Sequence, residues 1–67
     1  MKLFETTATI FVLNKDTKKL NELSKGTIVK PNRHIGDLCD IVIDKTLYEM
    51  TVDTFKEFFI LSTKSSQ

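Results

Sequence analysis

The sequence has a single cysteine, Cys39, a single histidine, His34, and no tryptophan. One cysteine excludes an internal disulfide, so the fold has none of the covalent staples that small extracellular domains use. One histidine and one cysteine also fall short of the four ligands, usually in two pairs, that structural zinc requires. His34 and Cys39, with Asp37 between them, are therefore read as loop and core residues, and no metal or cofactor is expected. They do not make a nucleophilic pair either. A reactive cysteine needs exposure and an electropositive setting, and Cys39 is followed by Asp40. No apolar run approaches the ~18–20 residues of a membrane-spanning helix. The opening Met1-Lys2-Leu3-Phe4-Glu5 lacks the apolar stretch and cleavage site of a secretory signal. These scarcities together point to a cytoplasmic protein that is not an enzyme, since a substrate pocket of ~300 Å³ is hard to enclose in so short a chain.

What is present describes one small globular unit. Hydrophobic residues make up 40% and charged residues 28% of the 67, a globular rather than a disordered composition. A single domain over 1–61 is expected, with 62–67 as a frayed polar tail. A chain of this length buries only about 60% of its unfolded surface, so its stability margin is narrow. The net charge of +1 hides an uneven distribution. Residues 15–34 carry six cations against two anions, and residues 37–57 carry six anions against two cations. Nine of the ten cations are lysine, a hydrated point charge that lacks the bidentate fork arginine uses to read phosphates and bases.

Periodicity predicts strands. The β-branched and aromatic run over 6–13 reads as one strand, with Ala8, Ile10 and Val12 on one face and Phe11 and Leu13 on the other. Asn14-Lys15-Asp16-Thr17 reads as a turn. Residues 18–25 read as an irregular returning strand, with a short helix over 17–24 as the alternative, since Leu20 and Leu23 stand three apart and Gly26 follows. Thr27–Val29 is a short strand that Pro31 stops or marks as an edge, and residues 32–36 form a loop.

Residues 38–44 and 46–52 alternate clearly, with Asp44-Lys45 between them as a two-residue hairpin turn. That register sets Ile43 opposite Thr46, Val42 opposite Leu47, Ile41 opposite Tyr48 and Cys39 opposite Met50. Ile41, Cys39, Tyr48 and Met50 then share a core face, and Asp40 meets Glu49 on the outer one. One helical turn over 53–58 follows, capped by Asp53 or by a Thr54–Glu57 capping box. A last short strand runs from Phe58 to Leu61.

This order resembles a small barrel of the Src homology three type. The Thr6–Leu13 strand, the Lys25-Gly26 turn into Thr27-Ile28-Val29, the central hairpin over 38–51 and the single helical turn before the last strand carry the likeness. It implies an all-β fold, five antiparallel strands in a barrel or strongly bent sheet. It does not imply that family's polyproline binding, because Tyr48 is the lone tyrosine and no tryptophan is present.

Three function classes survive these exclusions. The favoured one is a protein-interaction domain that binds and modulates or inhibits a larger protein. Its expected surface is the acidic–apolar hairpin face of Asp40, Val42, Leu47 and Glu49, with Phe58 or Phe59 as a further anchor. The second is a small nucleic-acid-binding barrel using Lys15, Lys18, Lys19, Lys30 and Arg33, although residues 14–33 offer no aromatic stacking platform. The third is an assembly subunit. In size and lysine-rich style the chain, which begins at Met1 like a free-standing product, resembles accessory proteins of bacteriophages. That likeness implies a modulator of host machinery in the host cytoplasm.

Overall fold

A computed structural model describes residues 2–63. The elements are β1 (Phe4–Thr6), β2 (Ile10–Asn14), β3 (Leu20–Leu23), β4 (Ile28–Ile35), β5 (Leu38–Ile43), β6 (Thr46–Thr51), α1 (Val52–Phe58) and β7 (Phe59–Leu61). The strands form one antiparallel sheet in the order β3-β2-β6-β5-β4-β1-β7, curled into a half barrel. The mainly all-β expectation stands, but seven strands replace five.

One added strand comes from a place where alternation conceals a change of direction. The run over 6–13 is not one strand. Thr6 ends β1 and Ile10 begins β2, and these lie in distant parts of the sheet, beside β7 and β3 respectively. Thr6 is pinned by its surroundings. Its hydroxyl donates to Ser24 O at 2.7 Å and accepts from the Thr27 amide at 2.9 Å. The Gly26 amide donates to Thr6 O at 2.9 Å, with Gly26 in the left-handed region at φ 87°. The chain therefore leaves the β1 ladder at Thr7 and crosses to the other side of the sheet.

Within 17–24, Leu20–Leu23 is strand and no helix forms, as the returning-strand reading expects. Asn14 Oδ1 accepts from the Asp16 and Thr17 amides at 2.8 and 3.1 Å, closing an Asx turn. Leu20 then pairs with Leu13 and Leu23 with Ile10. Residues three apart point to opposite faces of a strand, so Leu20 is exposed while Leu23 is buried.

β4 likewise runs through Pro31 to Ile35, where a stop or an edge and then a loop are expected from the sequence. The strand tolerates proline because β1 covers β4 only at Ile28 and Val29, leaving one side open beyond them. The register slips between Pro31 and Arg33 to leave Asn32 as the extra residue of a bulge. Gly36 at φ 59° then opens a second two-residue turn, with Ile35 paired to Leu38.

The β5–β6 hairpin has the expected register at every pair, from Ile43↔Thr46 to Cys39↔Met50. Asp44 and Lys45 both take positive φ, 50° and 69°, as a primed two-residue turn requires. The helix begins one residue earlier than expected and a different residue caps it. Thr51, not Asp53 or Thr54, is the N-cap, and its hydroxyl accepts from the Thr54 amide at 3.1 Å.

The core fills the inside of the curl with Ile10, Val12, Leu23, Val29, Ile41, Met50 and Phe59. Ile41 on central β5 is fully buried, at 0% exposure. Phe4, Phe55 and Phe59 form an aromatic group at one end, with Phe4 edge-on to Phe55 at 5.1 Å and Phe55 stacked on Phe59 at 4.8 Å. Ser62, the first residue of the expected tail, donates its amide to Leu3 O at 2.8 Å. Residues 64–67 lie outside the described residues.

The hairpin turn generates a stability prediction. Lys45 has a β-carbon in left-handed backbone, which glycine would relieve. Lys45→Gly should raise stability by about 0.5–1 kcal/mol, read as a higher urea midpoint with unchanged slope. A lower midpoint would show that the Lys45 side chain makes a compensating contact.

Candidate functional site

The outer face of the sheet is built by register. Leu20, Leu13, Glu49, Asp40 and Arg33 follow one another across β3, β2, β6, β5 and β4 as successive cross-strand partners. Two residues along each strand, Glu22 pairs with Phe11, and Thr51, Leu38 and Ile35 pair in turn. On the other side of the charged row, Leu47, Val42 and Lys30 are partners. The predicted hairpin face of Asp40, Val42, Leu47 and Glu49 is thus one contiguous surface.

Its chemistry differs from the expectation in one respect. Asp40 is not a solvated acid: it is 8% exposed. Lys15 reaches it from the end of β2, with Nζ 3.1 Å from Oδ2. A buried carboxylate needs such a partner, since desolvation disfavours its charge. The like-charge approach to Glu49 is thereby relieved, and the face is less acidic than the sequence alone implies. Lys15, Arg33, Ile35, Leu38, Asp40 and Glu49 line a shallow depression there of about 170 Å³.

The exposed apolar residues of this face are mostly ones the hairpin reading omits. Phe11 is 64% exposed, Leu20 67%, Ile35 64% and Leu38 46%. Phe11 carries a signal in the sequence, because an apolar residue out of phase with Ile10 and Val12 must face the other way. Ile35 and Leu38 flank Gly36-Asp37, a dipeptide that itself marks a tight hairpin.

Phe58 and Phe59 are not exposed anchors. Phe59 is buried in the core and Phe58 packs against it half-buried, because β7 turns this end of the chain back onto β1. Ile60 and Leu61 are the exposed apolar residues there.

The basic residues are not gathered into one patch. Lys15 is committed to Asp40. Lys18 lies in the turn before β3 at φ 64°, Lys19 follows it, and Lys30 and Arg33 sit on β4. Three strands, β2, β6 and β5, separate β3 from β4.

On the inner face, His34 and Cys39 are cross-strand partners. His34 Nε2 lies 2.9 Å from Gly36 O, the geometry of an Nε2–H donor. Burial raises the Cys39 thiol above its ordinary pKa, and the Asp40 carboxylate beside it raises it further. At neutral pH this thiol is protonated and a poor nucleophile. Among the described residues, no group of three or more histidine, cysteine or acidic side chains is placed to hold a metal. No helix among them is long and apolar enough to cross a membrane.

Comparisons with known proteins add no identity: no family model, curated protein or solved structure matches the chain.

Two expected outcomes follow. Lys15→Met should cost about 1–3 kcal/mol, between the values for exposed and buried pairs, because Lys15 is itself one-third exposed. In the Asp40→Asn background the same change should cost much less. Urea unfolding of the four variants measures the coupling, and additive losses would show that the pair contributes nothing. Separately, Asp40→Asn should speed Cys39 alkylation at pH 8, by less than about tenfold, since one pKa unit is a tenfold change in thiolate. A rate that does not rise would assign the low reactivity to burial alone.

Proposed function

We propose that this chain is a non-catalytic protein-interaction domain that binds a larger protein through the outer face of its sheet and modulates it. The observation that carries this reading is that one face of the sheet exposes two apolar pairs, Phe11 with Leu20 on β2 and β3 and Ile35 with Leu38 on β4 and β5, on either side of β6. A monomeric domain of this size rarely leaves large side chains of one face open to water without a use for them. Aromatic and aliphatic anchors beside neutralised or rim charges are what protein interfaces use for affinity and register. Glu49 and Arg33, on either side of Asp40 in the same row, supply the charges that orient a partner.

Phe11 and Leu38 test the face because both are exposed, so their replacement costs little stability. Phe11→Ser with Leu38→Ser should remove at least about tenfold in affinity for a captured protein partner, the effect of losing one good anchor. The urea midpoint and circular dichroism should not change. Full retention of the partner by this variant would overturn the face. A partner lost on nuclease treatment, with binding that falls steeply as salt rises, would move the function to the lysines.

A further inference from the structure

A second feature lies beside α1 and shares only Arg33 and Asp40 with the outer-face depression. Helix α1 covers only part of the curl. Between it and the bulged stretch of β4 lies a cleft of about 330 Å³. Pro31, Val52, Phe55 and Cys39 supply apolar lining, and Phe55 and Cys39 are also packed against the core. The bulge at Asn32 forms part of the cleft wall, between Pro31 and Arg33.

The polar lining has a consistent sign. Arg33 and Lys56 line the cleft, are exposed, and have no ion pair among the described residues. His34 completes this side; with its Nε2 turned to Gly36 O, Nδ1 is left as its other hydrogen-bonding atom. Asp40, the one acid in the lining, is already held by Lys15. The nearby acids Asp37 and Asp53 line a separate depression with Thr51 and Val52 at the start of the helix. An apolar floor with uncompensated cations above it suits a ligand that is apolar at one end and anionic at the other.

We propose that this cleft is a binding site for a small aromatic carboxylate, with the ring system against Val52 and Phe55 and the carboxylate toward Lys56 and Arg33. The volume stands at the lower end of the range for small-molecule sites, about 300–1,000 Å³, which limits the ligand to one or two rings. Arg33 and Asp40 border both this cleft and the outer-face depression, so the two sites are told apart by Lys56, which lines only the cleft, and by Phe11, which lines neither.

Three probes of one shape separate charge from apolar contact: naphthoate, naphthalenemethanol and naphthylmethylammonium. Each is titrated into the full chain and followed by amide chemical shifts. Naphthoate should bind saturably at one site, with the largest shifts at residues 31–34, 39–40 and 52–56. The alcohol should bind more weakly and the ammonium most weakly. Lys56→Glu should weaken naphthoate roughly fivefold, the effect of one screened charge contact, whereas Lys25→Glu, outside the cleft lining, should not. Bound naphthoate should also slow alkylation of Cys39. Equal affinity for all three probes, shifts centred on Phe11, Leu20 and Leu38, or no saturation at millimolar probe would each overturn the proposal.

Discussion

The register of the β5–β6 hairpin is the constraint on which the rest of the molecule depends. A slip of one residue would send Ile41 and Met50 to the outside and Asp40 and Glu49 to the core. The observed register puts Ile41, fully buried, at the centre of the curl. It also turns Asp40 outward, where Lys15 can meet it. Two left-handed residues, Asp44 and Lys45, hold this register. In a chain with no disulfide and a small core, the agreement of turn geometry with hydrophobic pattern stands where a covalent staple would otherwise be needed.

The two faces of the sheet are finished differently. Inside, aliphatic residues and the Phe4–Phe55–Phe59 group fill the curl, and α1 closes part of the opening. Outside, no element covers the sheet among the described residues. Phe11, Leu20, Ile35 and Leu38 stay in water, and a central ion pair consumes the charge that would otherwise keep an apolar partner away. Such a face gains most from apolar contact when something flat is laid against it. The cleft beside α1 is concave, with Arg33 and Lys56 in its lining.

Cys39 and His34 illustrate how position settles chemistry. Both types are chemically versatile, and both occur here once. The fold pairs them across β4 and β5, but it partly buries the thiol against the core and sets Asp40 next to it, both of which oppose the thiolate. What the pair contributes is a mixed apolar and polar wall to the cleft.

Local chemistry was legible in the sequence wherever partners lie close along the chain. The β5–β6 register, the Asn14 turn, the predominance of strand and the absence of a disulfide all follow from alternation, turn residues and composition, which act over a few positions. The division of 6–13 into two strands was not legible, because it depends on Thr6 being held by Ser24 and Thr27. The continuation of β4 through Pro31 depends on β1 ending its pairing at Val29. The burial of Asp40 depends on Lys15, twenty-five residues away, and the burial of Phe59 on the return of β7 to β1. Hydrophobic alternation says which residues share a face of one strand. Only the closing of distant strands into one sheet decides which of those faces meets the core, which meets a charge from another strand, and which is left open to water.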